Sequence, residues 1–112
     1  MTHALATDLC AAKPGAERST PFGPGTDVWK VGGKIFACLT ASQGGITLKT
    51  DSVETAEMLI SAGLGRKAAY FHRSWVNLPF SIAPDELRHR VDSAYRLVRA
   101  SLPKKQQTSL PD

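Results

Sequence analysis

The sequence predicts one α+β domain: an antiparallel β-sheet built as a meander of hairpins, flanked by an N-terminal and a C-terminal helix. A two-glycine turn at Gly32 and Gly33 separates two runs rich in strand-forming residues, and a third alternating run follows another glycine pair. Residues 84–102 carry apolar side chains at helical spacing. A chain of 112 residues is long enough to bury a core as a single domain.

The central element of this fold is the hairpin around the two glycines. Residues 28–31 and 34–40 are its predicted strands, because a glycine pair tolerates the positive φ angles of a two-residue turn. The shortest register places Trp29 opposite Phe36 on one face of the ribbon. Such an aromatic pair contributes roughly 0.5 kcal/mol and helps to fix the register.

The segments before and after the hairpin add a helix and two strands. Residues 2–12 are predicted as a short helix. Residues 17–22 are predicted as an edge strand, because Pro21 cannot donate a ladder hydrogen bond. Residues 41–45 form the next turn, and the alternating run 46–50 is the following strand.

A second helix is predicted over residues 53–62. Asp51 is the expected N-cap, and Glu54 completes a capping box three residues later. Gly63 is the expected stop signal. The inner face of this helix is predicted to consist of Ala56, Leu59 and Ile60.

Two extended runs and a long helix complete the domain. The runs are residues 66–71 and 75–82, and Pro79 argues against a central position for the second. The helix begins at Pro84, and Asp92 is spaced for ion pairs with the arginines four residues before and after it. The polar tail 106–112 is predicted to be disordered, which limits the domain to residues 1–105. The apolar stripe of the helix is Leu87, Val91, Ala94, Tyr95, Val98 and Leu102.

Charge is distributed unevenly along the chain, whose net charge is +4. Residues 1–64 contain five Lys or Arg against six Asp or Glu, a net charge of −1. Residues 65–112 contain nine against four, a net charge of +5. This asymmetry is compatible with a polyanionic partner such as DNA. The alternative is an ordinary solvated surface, because +4 is usual for a small domain.

The cysteines and the N-terminal residues indicate the cellular compartment in which the protein is expected. Cys10 and Cys38 form neither a disulfide framework nor a metal quartet, so buried free thiols in a reducing compartment are expected. The first residues lack the basic start and apolar run of a signal peptide, and no stretch reaches the ~20 apolar residues of a membrane span. We expect a cytoplasmic protein with no membrane partner, present as a monomer or weak dimer.

Neither a catalytic site nor a metal site is predicted. His3 lies at the start of the chain, and His89 faces away from the apolar stripe of the last helix. His72 is in a loop but has no Cys, His, Asp or Glu within five residues to share a metal. The glycine pairs lie in turns and do not open a helix, so a phosphate-binding loop is not predicted. The sequence predicts a protein that is not an enzyme and has no cofactor.

Basic residues close to aromatic ones are the candidate functional residues. Phosphate binding requires several Lys or Arg on one surface, and aromatic rings can stack on exposed bases. The alternatives are that strand lysines protect sheet edges and that both tryptophans belong to the core. The candidate set is Lys30, Lys34, Lys49, Arg66, Lys67, His72, Arg73 and Trp75.

Several short runs, in the same order over residues 5–103, resemble the MmcQ/YjbR-like family. They are Leu9-Cys-Ala-Ala-Lys-Pro-Gly-Ala16, Thr20-Pro-Phe-Gly-Pro, Val28-Trp-Lys-Val-Gly-Gly-Lys-Ile-Phe-Ala37, Thr47-Leu-Lys, Ala69-Tyr-Phe-His-Arg-Ser-Trp-Val76 and Ser93-Ala-Tyr-Arg-Leu-Val98.

The resemblance implies an α+β fold related in shape to that of frataxin and CyaY. It also implies a DNA-binding role that has been inferred from the fold, whose paired hairpins are described as a double wing. On this chain the wing lysines are Lys30, Lys34 and Lys49, joined by the segment 66–75.

The leading hypothesis is therefore a non-enzymatic DNA-binding module that contacts phosphates through hairpin and loop cations. The alternative is a protein–protein interaction domain, or a domain that binds a small anionic ligand near His72, Arg73 and Trp75.

Overall fold

The computed structural model describes residues 2–23, 25–40, 44–68 and 71–110, apart from the side chains of residues 2 and 3. These residues form four helices and a six-stranded antiparallel sheet. The helices are α1 (Thr2–Ala11), α2 (Val53–Ser61), α3 (Pro84–Ala100) and α4 (Lys104–Ser109). The strands are β1 (Glu17–Ser19), β2 (Thr26–Val31), β3 (Lys34–Thr40), β4 (Gly45–Lys49), β5 (Arg66–Lys67) and β6 (Trp75–Pro79).

The strands lie side by side in the order β1-β2-β3-β4-β6-β5. The first four form the predicted meander, in which each strand pairs with the next one along the chain. After β4 the chain passes through α2 to the outer edge of the sheet, where β5 forms, and β6 returns between β4 and β5. The predicted fold class is confirmed.

The two faces of the sheet have different surroundings. On one face, apolar side chains of the strands pack with those of α1, α2 and α3 in one continuous core. We call this the covered face; its strand residues are Trp29, Val31, Phe36, Ala37, Leu39, Ile46, Leu48, Val76 and Leu78.

The alternate strand residues point away from this helix-packed core, because successive side chains of a strand lie on opposite sides. We call their side of the sheet the open face. Its residues include Val28, Lys30, Ile35, Cys38, Thr47, Lys49, Trp75 and Asn77.

The hairpin between β2 and β3 is confirmed, but its predicted register is wrong beyond the turn. Both turn glycines have positive φ angles, 58° and 82°. Trp29 pairs with Ala37 and not with Phe36, because a bulge makes Phe36 an extra residue in β3. The bulge turns Phe36 toward α3, where its ring meets that of Tyr95 edge to face with the centroids 5.5 Å apart.

The N-terminus of α2 differs from the prediction by one residue. The N-cap is Ser52 and not Asp51, because Ser52 Oγ accepts a hydrogen bond of 3.0 Å from the backbone N–H of Thr55. The predicted capping box between Asp51 and Glu54 is therefore wrong.

The buried face of α2 is narrower than predicted. Ala56 and Leu59 are buried in the core, whereas Ile60 is 38% exposed. Gly63, with a φ of 77°, directly follows the C-cap residue Ala62, as predicted for the stop signal.

The edge strands are shorter than the sequence predicts. The predicted strand 17–22 is paired over Glu17–Ser19 and does lie at an edge. Of the predicted strand 66–71, Arg66–Lys67 is paired, and residues 69 and 70 lie outside the described residues. Pro79 was predicted to exclude a central position for its strand. This prediction is wrong, because β6 lies between β4 and β5. Pro79 itself, however, has a partner only in β4, because the short β5 pairs only with Val76 and Asn77.

All six residues of the apolar stripe predicted over residues 84–102 are buried. The ion pairs observed for Asp92 differ in part from the predicted ones. Arg88 Nη1 lies 3.2 Å from Asp85 Oδ1, whereas Asp92 pairs with Arg96 at 3.1 Å and with Lys13 at 2.9 Å. The contact with Lys13 connects the segment after α1 to α3, which sequence spacing along one helix could not reveal.

The tail that was predicted to be disordered forms α4 after Pro103. Gln107 Nε2 donates a hydrogen bond of 2.7 Å to the carbonyl of Leu102, and Leu110 packs against the core. These contacts explain why the polar segment is ordered through residue 110; residues 111 and 112 lie outside the described part of the chain.

Candidate nucleic-acid interface

Two cross-strand pairs of long side chains lie on the open face, on four adjacent strands. Lys30 pairs with Ile35 between β2 and β3, and Lys49 pairs with Trp75 between β4 and β6. Because β3 and β4 are neighbours, the four residues cross four adjacent strands, a distance of about 14 Å at the usual strand spacing. We call Lys30, Ile35, Lys49 and Trp75 the open-face ridge.

A row of shorter side chains lies beside the ridge. It consists of Val28, Cys38, Thr47 and Asn77, which pair in that order across the same four strands. All four are buried, at 0% to 6% exposure. The ridge therefore stands above a lower strip of the open face.

Hydrogen bonds fix the polar end of this strip. Asn77 Nδ2 donates to Thr47 Oγ1 at 3.1 Å, and Arg66 Nη2 donates to Asn77 Oδ1 at 2.8 Å. Arg66 is the cross-strand partner of Asn77, so its guanidinium is held at the β5 edge of the open face. The arrangement presents a cation over a preorganised polar surface.

Trp75 is in contact with a second aromatic ring and with a cation. The ring centroids of Trp75 and Phe71 are 4.8 Å apart and the planes are tilted by 35°. Lys49 Nζ lies 5.9 Å from the centroid of Trp75, within the range of a cation–π interaction. Both aromatic residues are half-buried, whereas Trp29 on the covered face is only 6% exposed. The prediction that both tryptophans belong to the core holds for Trp29 and is wrong for Trp75.

His72 stabilises the loop that leads into Trp75. The backbone N–H of Ser74 donates to His72 Nδ1 at 3.1 Å. Ser74 Oγ lies 2.9 Å from the same Nδ1, and Lys49 Nζ lies 3.5 Å from that hydroxyl. These contacts connect His72 to the ridge through Ser74, which gives the histidine a structural role in the loop.

The remaining three predicted site residues point elsewhere. Lys34 Nζ donates to Ser101 Oγ at 3.4 Å, at the end of α3. Lys67 is paired with a core residue of β6 and so points to the covered side of the sheet edge. Arg73 forms an exposed ion pair of 3.3 Å with Glu57 on α2. Of the eight candidates, Lys30, Lys49, Arg66 and Trp75 share the open face.

The surroundings concentrate positive charge on one part of this face. Glu17 is the cross-strand partner of Lys30 and offsets its charge at the β1 edge. Lys49 and Arg66 lie on the other half of the sheet, beside Trp75. The arginines of α3, in contrast, include three that pair with acids of the same helix.

Sequence reasoning did not identify Phe71, Ile35 and Asn77 as part of this surface. Asn77 lies two residues after Trp75 on the same strand, so the alternation of β6 could have placed both on one face. The predicted hairpin register already pairs Ile35 with Lys30, so it could have placed Ile35 on this face. Phe71 belongs to a loop, and its contact with Trp75 depends on how that loop turns.

Both thiols are free and buried, as predicted, but on opposite sides of the sheet. Burial under the helices raises the pKa of Cys10 to about 12, with a small opposing effect of Lys13. Burial also raises the pKa of Cys38 on the open face, although a hydrogen bond with Thr40 acts in the opposite direction. Neither thiol is thus prepared to act as a nucleophile near neutral pH.

Two further findings concern the described residues. They contain no cluster of three His, Cys, Asp or Glu side chains with the geometry to hold a metal ion. Their helices include none with the length and apolar character needed to cross a bilayer.

Comparison with known proteins places the chain in a family. The sequence model of the YjbR family matches residues 11–97, which is most of the chain. The chain belongs to the YjbR family. The match includes the whole sheet, so every residue of the open face of this YjbR protein lies within the family domain.

A solved structure has the same fold. Deinococcus radiodurans protein DR2400, which carries a domain of the DUF419 type, superimposes with a TM-score of 0.80 at 22% identity. The similarity covers 90% of this chain and 81% of that one. No curated protein matches the chain significantly. At this level of identity the structural similarity establishes the architecture and leaves the function to be argued from the surface.

Proposed function

We propose that this YjbR protein binds DNA through the open face of its sheet, without catalysing a reaction. The observation that carries the proposal is the grouping of Lys49, Arg66 and Trp75 on that face, with Lys30 two strands away. Cations that share one surface can contact consecutive phosphates, whereas scattered cations cannot.

The proposal differs from the sequence-based hypothesis in the position of the contacts. That hypothesis placed them on hairpin and loop cations, including Lys34, Lys67 and Arg73. Lys34 and Arg73 are engaged with residues of the helices, and Lys67 points to the covered side. We therefore assign the phosphate contacts to the strand residues of the open face.

Fluorescence anisotropy of labelled DNA across a salt series tests the proposal. Three phosphate contacts, from Lys30, Lys49 and Arg66, predict that log K falls with log salt with a slope of roughly −2 to −3. Lys30→Gln and Lys49→Gln should each weaken binding and reduce the slope by about 0.7 to 0.9.

Matched controls are available because two other lysines face away from this surface. Lys34→Gln and Lys67→Gln remove the same charge, and both should leave the slope unchanged. Equal weakening by all four substitutions would mean that binding follows net charge and not the open face. Absence of binding at low salt would contradict the proposal altogether.

The alternative of a protein–protein interaction domain has one observation in its favour. Met58 on α2 is 54% exposed, and Leu64 just after the helix is 40% exposed. Single exposed apolar side chains are common on soluble proteins, so they are a weaker basis than a shared cationic surface. The small-ligand alternative is not favoured, because Arg73 forms an ion pair with Glu57 of α2.

A further inference from the structure

We propose that the open face selects single-stranded nucleic acid, with a base stacked on the Trp75–Phe71 ring pair. The inference rests on the proposed function, which concerns phosphate contacts, and specifies the class of nucleic acid and the way in which its bases are held. Three features of the open face carry it: the ring pair, the cations on either side of it, and the width of the sheet.

The ring pair lies outside the helix-packed core, and Lys49 Nζ also lies 5.9 Å from the centroid of Trp75. Trp75 points away from the helix-packed core, and Phe71 lies against it at 4.8 Å between centroids. Trp29, the other tryptophan, is fully engaged in the core. Aromatic side chains half-exposed on a sheet are the elements on which unpaired bases stack, because every base has a π face.

Cations lie on the strands on both sides of Trp75. Lys49 is the cross-strand neighbour of Trp75 in β4. Arg66, in β5 on the other side, is level with Asn77, two residues farther along β6. A base stacked on the rings would therefore have a positive charge near the phosphate on each side. Glu17 is the acid paired into this surface, and it lies at the far β1 edge beside Lys30.

The width of the open face favours a single strand over a duplex. Six strands span about 24 Å at the usual spacing, whereas the major groove of B-DNA is about 12 Å wide. A broad sheet face cannot enter that groove, and Trp75 lies on a strand inside the sheet, not at a hairpin tip. A duplex would offer its phosphates to Lys49 and Arg66 but would keep its bases away from the rings.

The lower strip beside the ridge also favours binding of a single strand. Its side chains are short and its polar end is fixed by the hydrogen bonds from Arg66 to Asn77 and from Asn77 to Thr47. A strand that follows the ridge would lie over this preorganised strip without requiring a rearrangement of the sheet.

The experiment measures anisotropy of four labelled 12-residue probes: oligo-dT, an abasic strand of equal length, a mixed-sequence duplex and oligo-rU. Oligo-dT should bind at least 10-fold more tightly than the abasic strand and the duplex. Trp75→Ala should weaken oligo-dT binding about 5- to 100-fold and leave the salt slope unchanged. Trp75→Phe, which keeps an aromatic face, should retain most of the affinity. Comparison of oligo-rU with oligo-dT shows whether the 2′-hydroxyl contributes.

A spectroscopic readout separates stacking from loss of structure. In the Trp29→Phe variant Trp75 is the sole tryptophan, and stacking should quench its fluorescence when oligo-dT is added but not when the abasic strand is added. Circular dichroism of Trp75→Ala confirms that the variant is folded, and Phe71→Ala is a second substitution at the same surface.

The outcomes distinguish this inference from the proposed function. Equal affinity for oligo-dT, the abasic strand and the duplex, with a salt slope still present, would overturn stacking and preserve phosphate binding. Failure of all four probes to bind at low salt would overturn both. Quenching by oligo-dT together with weakened binding in Trp75→Ala supports the inference, whether or not oligo-rU binds equally.

Discussion

The covered and open faces of the sheet are built from the same strands but differ in what buries their residues. On the covered face, large apolar side chains such as Leu48 and Val76 are buried by helices. On the open face, Thr47 and Asn77 are equally buried although they are not part of the helix-packed core, and Asn77 donates a hydrogen bond to Thr47. Burial alone therefore does not reveal which face a partner can reach.

The difference between the two faces also explains which residues can contact a ligand. A residue in the helix-packed core cannot touch a ligand without disrupting the fold. A residue on the open face can do so, since its neighbours form a surface and not an interior. Lys49 and Trp75 differ from Trp29 in this respect, although all three are strand residues.

The largest expected difference between the faces is in the stability of tryptophan variants. Trp29→Ala should lower the free energy of unfolding by about 3–5 kcal/mol, because it leaves a cavity under the helices. Trp75→Ala should cost only about 1–2 kcal/mol, since the ring is half-buried and less contact is lost. Urea denaturation measures both. An equal loss for the two variants would show that the open face is covered as well.

A glycine on the open face tests how tightly that face is packed. A Cβ added at Gly45 would lie 2.6 Å from Asn77 Oδ1 and 2.6 Å from the carbonyl of Leu78. Gly45→Ala should therefore cost about 1–3 kcal/mol in free energy of unfolding by displacing β6 or the side chain of Asn77. Thr26→Ala, on the same face near the sheet edge, is the control with a smaller expected loss. A neutral effect of Gly45→Ala would mean that the strip beside the ridge is loosely packed.

Alkaline pH should reveal the buried thiol of the covered face. The folded protein raises the pKa of Cys10 from 9.0 to about 12, so the protonated thiol stabilises the fold below pH 9 and this stability is lost as pH rises toward 12. At pH 10 the expected loss of unfolding free energy is on the order of 1 kcal/mol.

Urea titrations at pH 8 and pH 10 measure this loss. Cys10→Ala should reduce the difference between the two pH values, and Cys38→Ala reports the corresponding contribution from the open face. An unchanged pH dependence in Cys10→Ala would contradict the assignment to Cys10.

The smallest expected effect concerns an ion pair outside both faces. Arg73 and Glu57 are 74% and 61% exposed at 3.3 Å, so solvent screens their attraction. Arg73→Gln should change the free energy of unfolding by less than about 0.5 kcal/mol and should not alter binding to the open face. A clear loss of DNA affinity in this variant would extend the interface beyond the strands to the 72–74 loop.

Local patterns in the sequence were sufficient for most elements of the fold. The positive φ angles of the β2–β3 turn, the apolar stripe of α3 and the stop signal at Gly63 depend on interactions within a few residues. The error at the N-cap of α2 arose where two local options, Ser52 and Asp51, were nearly equal.

The candidate site was predicted as a set of residue types but not as a surface. Lys30, Lys34 and Lys49 all belong to the strands of the meander, yet Lys34 points to the end of α3 and the other two to the open face. The alternation of a strand assigns residues to two sides, but it does not say which side the helices cover.

The sequence by itself determined the order of the elements, the hydrophobic core and the supply of cations and aromatic rings, because these depend on composition and short-range spacing. Tertiary structure alone decided the bulge at Phe36, the return of β6 between β4 and β5, and the grouping of Lys49, Arg66 and Trp75. The physical reason is that strand pairing joins residues far apart in the chain, and each pairing is fixed by packing against α3 and α2 rather than by the residues next to it.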